Sequence, residues 1–253
     1  MSDHVEIVRD GARLEIHLNR PDKKNALTGA MYAAVAEGLA SAEREPGVLA
    51  VILAGRGQAF CAGNDLADFM ANPPSGDDSP VARFLRAIST ATKAVVAAVQ
   101  GPAVGVGATM LLHCDHVVAS EEASLQFPFA RLALVPEAAS SLLLPRVVGP
   151  LAAAELMLTG DPLPAAEAKR LGLVSRVVPS GEALAGARAF AARLEGLPPE
   201  ALRETKRLLR ATSQDVATRM AEENALFRRQ LGSAEFAEAA RAFLEKRKPV
   251  FAR

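Results

Sequence analysis

The chain has 253 residues, half of them apolar, with 29 lysines and arginines against 29 aspartates and glutamates. That length suits one large domain, or a domain plus an appendage, around a substantial core. Balanced charge supplies no global field for nucleic acid, and no uninterrupted apolar run reaches the roughly 20 residues of a membrane span.

The N-terminal stretch MSDHVEIVRDG is acidic and polar, unlike a signal or transit peptide. Residues 5–8 and 13–18 alternate apolar and polar around Asp10-Gly11, a hairpin signal. From Thr28 to Arg44, Met31, Val35 and Leu39 recur every four residues, predicting an amphipathic helix begun by a Thr cap. Val48–Ala54 is a short apolar run, as expected of a strand buried on both faces. Residues 71–80, ANPPSGDDSP, read as an exposed, mobile loop, and a short helix is expected over 81–91.

Ala94–Val99 reads as another buried strand. GPAVGVGA then leads into an apolar helix ending near Cys114, and Val117–Ala119 and Leu125–Phe127 read as further short strands. Beyond about residue 150 helical periods dominate, apart from a strand expected at Leu173–Val178. Three helices are expected to begin near Pro198, Ser213 and Ser233. Their apolar stripes are Leu202, Leu208 and Leu209; Met220, Leu226 and Phe227; and Phe236, Ala240 and Phe243. RETKRLLR (203–210) fits the charged outer face of such a helix better than a nucleic-acid contact. Strand–helix alternation makes residues 1–195 an α/β core, and residues 196–253 a helical C-terminal region. The C-terminal PVFAR is no peroxisomal Ser-Lys-Leu address, so a cytoplasmic protein is expected.

Cys61 and Cys114 form neither a metal-type pair nor a disulfide framework, and read as packing residues. His113 and His116 flank Asp115, but no further cluster completes a metal site. No metal or redox cofactor is expected.

Two stretches carry chemistry. In RLALVPEAASSLLLPR, Glu137 is the only ionisable residue between Arg131 and Arg146. A lone carboxylate among apolar neighbours tends to a raised pKa, which suits a general base. An acid after Pro136 at a helix start, favoured there by the dipole, fits the same residues. The second feature is a pair of glycine loops, each after a buried strand: GRGQAFCAGNDL (55–66) and GPAVGVGA (101–108). Glycine lets a ligand approach backbone N–H groups, and two such loops are able to aim donors at one developing oxyanion. Neither completes a dinucleotide fingerprint or a phosphate-binding P-loop.

LNRPDKKNALT (18–28), AFCAGNDL (59–66), VQGPAVGVGATMLLHCDHVVAS (99–120) and AEFAEAARAFLEKRKPVF (234–251) resemble, in order, the crotonase or enoyl-CoA hydratase/isomerase superfamily. The resemblance implies a spiral of ββα turns, a C-terminal helical trimerisation region, acyl-CoA thioester substrates, and assembly as a homotrimer or a dimer of trimers. It places the backbone N–H groups of Asn64 and Val106 in an oxyanion hole. It also implies backbone contacts to CoA around Ala26 and from Ala62, Gly63, Asp65 and Leu66, with Gly105 beside the second donor. Lys23, Lys24, Lys246 and Lys248 stand where phosphates would lie, though solvated surface charge accounts for any one of them. Asp65 is expected to order its loop.

Typical hydratases of the family carry two glutamates, at positions held here by Thr109 and Phe129. PFARLALVPEAASSLLLP instead resembles the monofunctional peroxisomal-type Δ3,Δ2-enoyl-CoA isomerases, whose single catalytic glutamate falls on Glu137. Thr109 and Phe129 then become pocket wall, with Leu134, Leu142 and the 71–91 segment as further candidates. The competing readings are a hydratase or other acyl-CoA reaction through Glu137, and a non-catalytic acyl-CoA binder.

Overall fold

The structure, a computed structural model, describes residues 2–73, 76, 78–210 and 213–251. Val5–Asp10 (β1) and Arg13–Leu18 (β2) form the expected antiparallel hairpin. The Thr28 hydroxyl accepts from Met31 N at 3.3 Å and starts helix α1, Gly29–Arg44. Ala50–Gly55 (β3) lies parallel to β2 with all six residues buried. Leu66–Ala71 (α2) and Pro80–Thr90 (α3) follow. Of the 71–80 loop, residues 74, 75 and 77 lie outside the described residues; Asn72, Pro73, Gly76 and Asp78 are exposed.

Ala94–Val99 (β4) runs parallel to β3. Its odd-numbered side chains join the core under α1, and its even-numbered ones a second core with Ala183, Ala187 and Ala191. A strand with a core on each face is why these runs are unbroken in hydropathy. The chain then passes to a second sheet and back. Pro102–Val104 (β5) leads into one α-helical turn, Val106–Thr109 (α4), and a 3-10 turn, Met110–His113. His116–Ser120 (β6) returns beside β4, and Ser124–Gln126 (β7) pairs in parallel with β5.

Ser140–Val148 (α5), Pro150–Thr159 (α6), Leu163–Pro164 (β8), Ala165–Arg170 (α7), Arg176–Val178 (β9) and Ala183–Ala192 (α8) complete this part. The main sheet is ordered β1-β2-β3-β4-β6-β9, parallel beyond the hairpin; the small one is β5-β7-β8. Pro199–Leu209 (α9), Ser213–Leu231 (α10) and Ala234–Leu244 (α11) follow, and α10 packs on α3 and α5.

Three expectations need correction. The helix expected to run to Cys114 is one α turn tightened into a 3-10 turn. The strand expected from Leu173 starts at Arg176; Leu173 and Val174 are buried without being in it. In α9, Leu208 and Leu209 are 65% and 82% exposed, whereas Lys206 is buried. Lys206 Nζ donates to Lys93 O at 2.5 Å and to Asp115 at 2.7 Å, so a charged pair takes the inward face that the leucines were expected to hold.

Candidate active site

The two glycine loops meet because their strands do. Cys61 bridges Ala103 in parallel, with Cys61 N donating to Pro102 O and Val104 N to Cys61 O. Three residues beyond each bridging residue come Asn64 and Val106. A Cβ on Gly63, at φ +94°, would lie 3.1 Å from Val104 O, so the first loop runs close against the second there. A Cβ on Gly107 would lie 2.5 Å from Cys61 O, a distance no real side chain tolerates. Glycine at 107 is therefore what lets α4 begin against the first loop. Among the described residues, neither Asn64 N–H nor Val106 N–H has an acceptor within the chain. Val106 is the first residue of α4, where an N–H has no partner within the helix. Both residues line one cleft of about 810 Å³.

The preceding segment is fastened to the first loop by Asn25. Its amide donates to Arg56 O at 2.9 Å and Ala59 O at 2.8 Å, and its Oδ1 accepts from Arg20 N at 2.8 Å. This brings Ala26 to the cleft beside Ala62, Gly63, Asp65 and Leu66. Asp65 orders its loop: it caps α2 by accepting from Asp68 N at 3.1 Å and pairs with Arg20 at 2.6 Å. That pairing and the backbone donors hold its carboxyl below the usual range against the opposing effect of burial, the largest single influence.

Glu137 lies on the same cleft, 4% exposed. Among the described residues nothing hydrogen-bonds its carboxyl. Burial, and then the negative charge of Glu223, push its pKa up to about 8. Two further buried groups face it. Tyr32 of α1 donates its hydroxyl to Asn64 Oδ1 at 2.5 Å, and burial, with Glu137 next, raises its pKa well above 10. Burial pushes the Cys61 thiol up to about 12. Both are therefore neutral donors near neutrality, and Tyr32 anchors the side chain of the residue that carries one free N–H.

Phe129 and Leu134 line the cleft as expected. Thr109 does not: it is fully buried beneath Val106, with its hydroxyl 3.5 Å from Val106 O. Leu142 is not part of the lining either, whereas Ser79, Val81 and Leu85 of the 71–91 segment border a small space of about 40 Å³ that Glu137 shares. The basic residues that line the cleft are Arg20, Lys23, Arg131 and Arg247, and Lys24, Lys246 and Lys248 are not among its lining. Lys24 serves through its backbone, where its carbonyl accepts from Ala62 N at 2.9 Å. The C-terminal helices supply Phe227, Phe236 and Ala239 to the wall, and Phe227 meets Phe69 edge-on at 6.3 Å. Tyr32 and Glu223 escaped the sequence reading. Their one signal is position: each is a polar residue on the apolar stripe of its helix.

A cleft with two free N–H groups on one side and an unpartnered, proton-holding carboxyl on the other is equipped to stabilise an enolate and move a proton. Known proteins resemble this chain over most of its length. Residues 10–253 match the enoyl-CoA hydratase/isomerase family. An enoyl-CoA hydratase/isomerase from Pseudoalteromonas atlantica T6c superposes with a TM-score of 0.94 at 44% identity, over 99% of this chain and 100% of that one. A Thermus thermophilus protein that carries an enoyl-CoA hydratase name is 39% identical over 96% of this chain and 99% of its own length. Human enoyl-CoA delta isomerase 2 is 34% identical over 79% of this chain and 52% of that protein. The α/β spiral with its helical C-terminal region is the crotonase fold.

Proposed function

The chain belongs to the enoyl-CoA hydratase/isomerase family, and from that premise we propose that its acyl-CoA chemistry is the shift of a 3-enoyl-CoA double bond to 2-enoyl-CoA. The observation that carries this reading is the inventory of carboxylates on the cleft. Among the described residues there are two, Asp65 and Glu137. Asp65 is engaged by Arg20 and the start of α2; Glu137 is free and holds its proton tightly. Adding water across a double bond calls for two groups to handle one water. Moving a proton from C2 to C4 calls for one base, because nothing adds and nothing leaves.

In this mechanism the thioester oxygen lies between Asn64 N–H and Val106 N–H. Glu137 as carboxylate takes a proton from C2. The electron pair spreads over C2–C4 and the thioester oxygen as a dienolate, which the two N–H groups stabilise. Glu137 returns the proton at C4, leaving a 2-enoyl thioester. Phe129, Leu134 and Phe227 supply an apolar wall that keeps water from C3. Arg20, Lys23, Arg131 and Arg247 are the candidate partners for the phosphates of CoA.

The test is turnover of 3-enoyl-CoA and 2-enoyl-CoA side by side, in wild type and Glu137→Gln. Isomerisation should fall by roughly 10²–10⁴-fold in the variant, with little change in acyl-CoA affinity. A wild type that hydrates crotonyl-CoA much faster than it isomerises 3-enoyl-CoA would overturn the isomerase reading in favour of a hydratase. An inactive wild type that still binds acyl-CoA would leave a binder.

A further inference from the structure

Immediately after Glu137 the backbone does something unusual. Ala138 and Ala139 both sit in the left-handed region, at φ 59° and 55°, where an L side chain crowds the following carbonyl. Two consecutive alanines do not hold that shape unaided, and the surroundings over-determine it. One carboxylate oxygen of Glu223 accepts the Ala139 N–H at 2.6 Å. The other accepts the Ser141 N–H at 2.9 Å and the Ser141 hydroxyl at 2.5 Å. From the opposite side, His113 Nε2 donates to the Ala138 carbonyl at 2.8 Å. Burial lowers the His113 pKa to about 4, so the ring is neutral, with its one proton on the nitrogen that makes this bond.

Glu223 reaches the turn from α10 and is 4% exposed. Its helix also carries Phe227 to the cleft wall. Burial raises the Glu223 pKa above the ordinary carboxylate value, and its hydrogen bonds from Ser141 and Ala139 only partly offset that. All three donors favour its ionised form, and the Glu223 charge is felt by Glu137 as that group titrates.

We propose that Glu223 is a positioning residue for Glu137: it locks the left-handed turn that aims the base into the cleft, and its buried charge sets how readily the base gives up its proton. The inference rests on the reading of Glu137 as the base. The titratable groups that face Glu137 are Tyr32 from α1, Cys61 from the first glycine loop, and Glu223 from α10; Arg228, also on α10, borders the small space behind it. Tyr32 and Cys61 are neutral near pH 7, which leaves Glu223 as the negative charge that the base feels.

The experiment compares wild type, Glu223→Gln and the double variant Glu223→Gln/Ala139→Gly. Two readouts are taken: kcat and KM for 3-enoyl-CoA across pH, and a carboxyl ¹³C-NMR titration in which Glu137→Gln assigns the Glu137 signal. In Glu223→Gln the Glu137 midpoint should move down by about one pH unit or more. The kcat should fall about 10–10²-fold from misplacement of the base, with KM within about twofold. Glycine takes the left-handed position without help, so the double variant should recover much of kcat while the midpoint stays low. It also keeps the test alive if Glu223→Gln alone does not fold. A Glu137 midpoint unmoved in both variants overturns the proposal, as does a kcat in Glu223→Gln equal to wild type. If wild type does not turn over 3-enoyl-CoA, the proposed function fails on its own. The NMR midpoint then still decides the role of Glu223.

Discussion

At the scale of single residues, Glu137 couples stability to pH in a direction opposite to most carboxylates. Its folded pKa of about 8 lies above the ordinary 4.5. Below about pH 4.5 the group is protonated in both folded and unfolded chains. Between there and about 8 the unfolded chain releases the proton and the folded chain keeps it, so stability is lost as pH rises. Glu137→Gln is neutral throughout and should therefore gain on wild type across that window, by a few kcal/mol at most. Thermal melts at pH 5 and pH 8 measure it; an advantage that does not widen with pH contradicts the burial argument. Activity runs the other way. A base works as its carboxylate, so kcat/KM for 3-enoyl-CoA should climb with pH to a limb near 8, and a flat profile between pH 6 and 9 would remove Glu137 from the role. Tyr32 offers an independent check. It is the sole tyrosine, and the chain has no tryptophan, so tyrosinate absorbance reports on it alone. No tyrosinate should appear as pH rises past 10 until the chain unfolds. Glu137 was legible in the sequence as a lone acid in an apolar stretch, but the group that holds the turn behind it was not: Glu223 is 86 positions away, and its place on the apolar stripe of its helix does not say which segment it meets.

At the scale of elements, long apolar runs and capped helices were readable because each carries its own period. β4 falls on residues 94–99 as expected, and α1 begins at its Thr cap. The misread elements are those whose faces are set by a distant partner. Lys206 turned α9 inward because Asp115, on another segment, accepts its charge at 2.7 Å. The same logic anchors β2 to α8. Glu15 is buried, takes two hydrogen bonds from Arg188 at 2.7 and 2.8 Å, and contacts His17 at 2.9 Å. Arg188 chiefly holds the Glu15 pKa down to about 2. That stability is present above pH 4.5 and is lost as pH falls toward 2. Arg188→Ala leaves buried Glu15 only Arg13, 3.5 Å away, and His17 as partners, and should cost roughly 1–3 kcal/mol near neutrality, less than a fully enclosed pair because the Arg188 side chain is half in solvent. The penalty should shrink below about pH 4, where Glu15 is neutral in the variant; denaturant titrations at pH 7 and pH 3 that give equal penalties would exclude this account.

At the scale of the whole molecule, much apolar surface is left outside. Leu151 and Leu158 are 86% and 74% exposed on α6, with Val147 half-exposed at the end of α5, and α9 adds Leu208 and Leu209. Faces of this kind mark interfaces, and a homotrimer or a dimer of trimers is expected. Light scattering at micromolar concentration should read three or six chains, and Leu151→Glu with Leu158→Glu should shift the mass toward one if that face carries the contact. A wild-type monomer would end the idea. With backbone donors as the electrophile, EDTA should leave turnover unchanged; loss restored by zinc or magnesium would count against a metal-free site. By itself the sequence determined the α/β class, where the main strands fall along the chain, the two glycine loops and the lone acid, because hydropathy period, caps and glycine act over a few residues. Only the tertiary structure decided that the loops meet at Cys61 and Ala103, that Thr109 lies beneath the cleft wall, that three arginines join Lys23 at the cleft while Lys24, Lys246 and Lys248 do not line it, and that a carboxylate from α10 grips the turn behind Glu137. Those depend on which distant segments share a buried volume, where desolvation makes an unpartnered polar group costly.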